Sequence, residues 1–161
     1  MKHRVILSVL SALAAFALAA SLSLPARSAT SAMDVVNKVV VASEAIDASA
    51  LRGLYTDNAV FIDEGPIVIY GPNVGVDWAN RVNKAFSERH MSHFKATASK
   101  PAVVQISAKG AYVVVPMELN AQIGATKHYH ETGAFTFTLV RQAGVWKITS
   151  QVWTVLTKVI G

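Results

Sequence analysis

The chain has 161 residues, room for one ordinary domain, and 52% of them are hydrophobic, which excludes a disordered polar tail. Of the 15 Lys and Arg residues, Lys2, Arg4 and Arg27 fall in a leader, so 12 stand against 10 Asp and Glu and the remainder carries only +2. That excludes the dense basic face of a nucleic-acid binder, and the lack of cysteine excludes a disulfide framework, a thiolate metal site and a catalytic thiol.

The first residues are basic through Lys2, His3 and Arg4, and residues 5–24 carry no charge and are rich in Ala, Leu and Ser. Pro25 closes the stretch, and the small residues Ala26, Ser28, Ala29 and Ser31 follow. This is the order of a secretory signal peptide. It predicts a signal over residues 1–28, cut at about 28 to 31, and a periplasmic or secreted protein. A retained membrane anchor is the rival reading. Ser8, Ser11, Ser21 and Ser23 dilute the stretch and no basic stop-transfer cluster follows, so no stable anchor is expected after processing.

Ser31-Ala32-Met33-Asp34 reads as a capping box. It opens a helix whose apolar stripe is Val35, Val36, Val39, Val40, Ala42 and Ile46. Asp47 or Ser49 caps a second, shorter helix through Leu51 and Leu54, ended by Gly53 and a turn at Tyr55-Thr56-Asp57-Asn58. Residues 59–63 and 67–70 read as short strands separated by Glu64-Gly65-Pro66. Gly71-Pro72 then leads to a third helix from Asn73, in which Val74, Trp78, Val82 and Phe86 share one face.

From Lys95 onward the pattern is that of strands, over residues 101–107, 111–122, 128–141 and 145–157, joined by short Gly-containing links that read as hairpins. Phe135, Phe137 and Leu139 alternate with Thr136, Thr138 and Val140. No repeat, low-complexity tract or linker interrupts residues 32–158, which predicts a single domain. Three N-terminal helices packed on a strongly curved, antiparallel or mixed sheet make an α+β fold of conical shape, with room for a cavity between the layers.

This order resembles the nuclear-transport-factor-2-like superfamily, which includes ketosteroid isomerase, scytalone dehydratase and the SnoaL-like polyketide cyclases. The local matches are Leu54-Tyr55-Thr56-Asp57-Asn58-Ala59-Val60-Phe61-Ile62-Asp63, Gly71-Pro72 leading into Val76-Asp77-Trp78, and Gly144-Val145-Trp146-Lys147-Ile148. With Gly110-Ala111-Tyr112-Val113-Val114-Val115-Pro116 they look like an exported SnoaL-like subgroup. The resemblance implies the same cone and often a homodimer, but not a function, because the scaffold hosts enzymes, carriers and assembly modules alike. One catalytic position carries over: Asp63 matches the aspartate that moves the proton in ketosteroid isomerase. The rest of that site does not. The first helix has no Tyr, and the late-strand aspartate is replaced by the run Thr132-Gly133-Ala134-Phe135, which argues against a steroid isomerase.

Asp63 is therefore the candidate catalytic carboxylate, its pKa raised if an apolar cavity surrounds it. The bland alternative is an Asp that accepts from backbone N–H groups in the following turn. Adjacent Glu64 would point to the opposite face, so at most one of the two enters the cavity. Tyr70, Trp78, Glu118 and Trp153 are candidate ligand-contacting residues. Glu118 alternates with Met117 and Leu119 and lines the cavity only if its face is the inner one, whereas Trp146 reads as core, the alternative that also holds for Trp78. His128 and His130 share a strand face beside Glu131 without a third ligand at metal-site spacing, and His90 and His93 read as cations at a helix end, so no metal or other cofactor is expected. Three functions compete. One is an exported domain holding a small apolar or carbonyl-containing molecule. The second is a cofactor-free isomerase, cyclase or dehydratase using Asp63, and the third is a dimeric interaction module.

Overall fold

A computed structural model describes residues 30–65 and 67–161. The expected signal segment, residues 1–28, lies outside the described residues. Helix α1, Ala32–Ala45, starts at the capping box: the Ser31 hydroxyl accepts from the Asp34 N–H at 3.1 Å, and the Asp34 carboxylate accepts from the Ser31 N–H at 2.8 Å. Its stripe of Val35, Val36, Val39, Val40 and Ala42 is buried, and Ile46 ends it in the left-handed conformation.

The second helix is not formed. Asp47 does accept from the N–H groups of Ser49 and Ala50, but the chain makes only turns up to Gly53. The span between that cap and a left-handed glycine is too short to repay helix nucleation. Leu51 is buried from a turn instead. The domain thus has two helices among the described residues.

Strand β1, Tyr55–Ile62, takes in the residues read as a turn. Tyr55 is drawn into the sheet because its hydroxyl donates to the buried Gln151 at 2.6 Å. Its ring lies where a Cβ on Gly75 would come within 2.5 Å, so only glycine fits there. β2, Val68–Tyr70, pairs antiparallel with β1, and helix α2, Val74–Glu88, follows. The remaining strands are β3, Met91–Ala98, β4, Val103–Ile106, β5, Gly110–Ile123, β6, Lys127–Gln142, and β7, Val145–Ile160.

The sheet order is β2-β1-β7-β6-β5-β3, with β4 paired to the other end of β5. The β1–β7 pair is parallel and the others are antiparallel, so the sheet is mixed. Helix α1 packs on β3 and β7, and α2 packs on β1, β2 and β3. The core lies between these helices and the concave face of the sheet, built on Val36, Val39, Phe61, Val113, Phe137, Leu139 and Ile148.

Two irregularities decide what faces that layer. β3, which the composition of its segment did not announce, carries a bulge between Ser92 and Lys95, with His93 at φ 53°. The extra residue puts Met91 and Phe94 on the same wall. It also corrects the place of His93, which lies in a strand and not at a helix end. In β7 the register with β6 slips twice, at Thr149 and at Leu156. Simple alternation would put Lys158 on the face opposite Trp153; the second slip brings it inward, directly across from Glu131.

Candidate functional site

A cavity of about 370 Å³ opens between α2, the end of β1, and the inner face of β3, β5, β6 and β7. Its apolar wall on α2 is the ridge Trp78, Val82 and Phe86, the face expected from fourfold spacing. The adjacent ridge Arg81, Ala85 and Arg89 makes the rim. Phe94, Met117, Leu119 and Phe135 complete the apolar surface from the sheet side.

Two indoles organise the polar groups. Trp78 stacks on Phe61 at 5.3 Å and meets the edge of Phe135 at 6.1 Å, and Phe135 in turn lies 4.9 Å from Trp153. At one end of this aromatic chain Trp78 Nε1 donates to Asp63 Oδ2 at 2.9 Å. At the other, Trp153 Nε1 donates to Glu131 Oε1 at 2.7 Å. The Trp153 ring can lie there because residue 133 is glycine: a Cβ would come within 2.5 Å of Trp153 Cζ2 and of the Thr154 carbonyl.

Asp63 is half-buried just past the end of β1, and its Oδ1 accepts from the Glu64 N–H at 2.8 Å. Burial raises its pKa above the usual carboxylate value. The two hydrogen bonds oppose that shift, and the charges of Glu64 and Glu131 add to it. The turn contact expected of this residue is made by Oδ1, while Oδ2 is held by the Trp78 indole at the cavity wall. Asp63 and Glu64 both line the cavity, contrary to the alternation argument, because β1 stops at Ile62 and the chain turns before the next residue can alternate.

Glu131 is 1% exposed. Besides Trp153, the Tyr129 hydroxyl donates to its Oε2, and Lys158 Nζ lies 3.6 Å from the same oxygen. Lys158 also binds Glu64 Oε2 at 2.7 Å and so ties the lip of the cavity to its wall. Burial, the hydrogen bond to Glu131 and the nearby negative charges all push the Tyr129 pKa up, so its hydroxyl keeps its proton.

Of the residues singled out in the sequence, Asp63, Trp78 and Trp153 come together here. Tyr70 does not: it is 75% exposed, on the outward phase of β2. Glu118 does not either. Met117 and Leu119 take the inner phase of β5, which turns Glu118 outward beside Asn120 and within 3.6 Å of His130. His130 Nδ1 pairs with Asn120 Oδ1 at 2.9 Å, and among the described residues no three or more potential metal ligands are gathered. Trp146 is buried away from the cavity.

Glu131 and Tyr129 were missed although a signal was present. They lie in phase with Phe135, Phe137 and Leu139, the inner face of β6. Lys158 had no such signal, because the bulge that turns it inward does not show in alternation.

A family model described as a SnoaL-like domain matches residues 32–157. No curated protein matches the chain in sequence. Among solved structures, a hexachlorocyclohexane dehydrochlorinase, LinA-type3 from Novosphingobium barchaimii LL02, is similar with TM-score 0.67 and 16% identity, over 80% of this chain and 86% of that one. A ketosteroid isomerase-like protein from Erwinia carotovora atroseptica SCRI1043 gives TM-score 0.62 and 18% identity, over 82% and 98% of the two chains. An NTF2-like protein with a cystatin-like fold from Novosphingobium aromaticivorans gives 0.61 and 13%, over 76% and 78%. At these identities the likeness is one of fold. The family match covers most of the chain, and the mixed curved sheet with its helices agrees with it: the chain belongs to the SnoaL-like domain family, within the nuclear-transport-factor-2-like superfamily.

Proposed function

We propose that the domain holds a small, mostly apolar molecule in the cavity between α2 and the sheet. The supporting observation is the cavity itself, about 370 Å³ with aromatic and aliphatic walls and a few fixed polar groups at one side. That is the make-up of a small-molecule site. The molecule is taken up outside the cytoplasm, in the periplasm or the medium, as the leader implies. Native mass spectrometry of protein from its own host tests the reading. A bound small mass released on denaturation is expected; protein that carries none, and gains none from an extract of the host's medium, contradicts it.

A second reading is favoured by one observation, the raised pKa of Asp63 beside an apolar wall. Such a carboxylate suits a general base in a cofactor-free isomerisation, cyclisation or dehydration. Asp63 would take a proton from carbon, and its bond to the Trp78 indole would keep the carboxylate oriented. The names of two proteins with this fold, a dehydrochlorinase and an isomerase-like protein, are in keeping with such chemistry. On this reading Asp63→Asn abolishes turnover while binding persists, and the rate rises with pH through a pKa above the ordinary 3.8. A rate unchanged in that variant removes Asp63 as the base.

A further inference from the structure

The polar lining of the cavity is one-sided. Trp78 Nε1 is committed to Asp63, and Trp153 Nε1 and the Tyr129 hydroxyl are committed to Glu131. The Lys158 ammonium is committed to Glu64, with Glu131 beside it at 3.6 Å. What remains is acceptor capacity, apart from the Ser43 hydroxyl, which can also donate. Each oxygen of Asp63 receives one donor, where a carboxylate oxygen can take two. The Tyr129 hydroxyl hydrogen is engaged by Glu131, and its oxygen keeps its lone pairs. Glu131, at 1% exposure, is a positioning residue: it holds two donors that would otherwise be offered to a ligand.

The Ser43 hydroxyl, able to donate or accept, is a separate sign that a polar ligand enters. Ser43 is 3% exposed and lines the same cavity, and its Oγ has no hydrogen-bond partner. A buried hydroxyl is normally satisfied, and the cavity is where a partner for it would enter.

Resting on the ligand-cavity reading above, we propose that the cavity selects apolar molecules whose polar group donates a hydrogen bond, a hydroxyl or an ammonium, over molecules of the same shape whose polar group only accepts. A ketone brought into the cavity finds lone pairs at Asp63 and Tyr129 and an uncommitted donor, the Ser43 hydroxyl, on the α1 side, so at the polar side of the cavity the hydration its oxygen loses is not replaced. A carboxylic acid meets Asp63 and Glu64 as like charges. Arg81 and Arg89, exposed on the rim and without an ion-pair partner among the described residues, pull the other way, so the acid is the sharpest challenge. An aromatic body suits the faces of Trp78, Phe135 and Trp153, and an ammonium gains further from those faces.

Four probes on one skeleton test this: naphthylmethanol, naphthylmethylamine, acetonaphthone and naphthoic acid, all of the same positional isomer. Calorimetric titration of the processed wild-type protein at neutral pH should show the alcohol and the amine binding about tenfold or more tighter than the ketone and the acid, the factor one well-made hydrogen bond contributes. In Glu131→Gln one amide N–H2 replaces an acceptor and releases a donor, so the ketone should gain and the gap should close to about threefold or less. If circular dichroism shows that this variant does not fold, Asp63→Asn takes its place: there an acceptor becomes an N–H2, and the gap between alcohol and ketone should close likewise.

A ketone or acid that binds wild type as tightly as the alcohol overturns the donor preference and leaves the cavity reading standing. An unchanged gap in the folded variant overturns the preference as well. Failure of all four probes to bind overturns the cavity reading, and this one with it.

Discussion

Both oxygens of Asp63 accept a hydrogen bond, from the Glu64 N–H and from the Trp78 indole, so the side chain fastens a turn and faces a cavity at once. An asparagine keeps one acceptor and must aim its N–H2 at the other donor. Asp63→Asn should therefore lower stability by about 1 kcal/mol in denaturant titration. Its pH dependence is more telling. Burial raises the folded-state pKa above 3.8, so the stability tied to this group is full below 3.8 and declines as pH rises through the raised value. Asp34 and Asp47, whose hydrogen bonds lower their pKa, work in the opposite sense: their contribution is present above 3.8 and is lost as pH falls through the lowered values. In Asp63→Asn the declining limb should vanish and the limb from Asp34 and Asp47 remain. A curve superimposable on that of wild type contradicts the buried environment assigned to Asp63.

The strands place their residues through departures from regularity as much as through alternation. β6 and β7 approach closely at Gly133, and the Trp153 indole lies in the space a Cβ would fill. Gly133→Ala should cost about 1–3 kcal/mol as overpacking and swing the indole off Glu131, read as a shift of the Trp153 indole N–H resonance. If that resonance stays in place, the close approach does not position the ring. The same elements show how far the sequence could be read. The capping box of α1, the apolar ridge of α2 and the inner phase of β6 are periodic or local signals, and each formed as read. The second helix failed because capping residues and Leu51 carry no information about whether a few residues suffice to nucleate one. β3 went unread because its inner residues, Met91 and Phe94, are out of phase across a bulge. Lys158 was hidden for the same reason in β7. The half of the site built on alternation, Asp63 apart, was legible; the half built on bulges was not.

At the level of the whole molecule, the outer face of the sheet presents Tyr112, Thr138 and Ser150 in register, flanked by the half-buried Thr136 and Val140. Such a semi-apolar surface suits sheet-to-sheet packing into a symmetric homodimer. Light scattering of exported protein should give twice the mass of a chain shortened by about 28 to 31 residues. A strict monomer at micromolar concentration contradicts the dimer, and an unshortened chain contradicts the processing. The cavity itself can be tested through the three tryptophans of the chain, because Trp78 and Trp153 line it while Trp146 is buried elsewhere and serves as an internal control. The measurement is a nitrogen–proton correlation spectrum of the indole N–H groups during titration with naphthylmethanol. Occupation of the cavity predicts that the Trp78 and Trp153 peaks move together and saturate while the Trp146 peak stays fixed; no movement, or movement confined to Trp146, contradicts it.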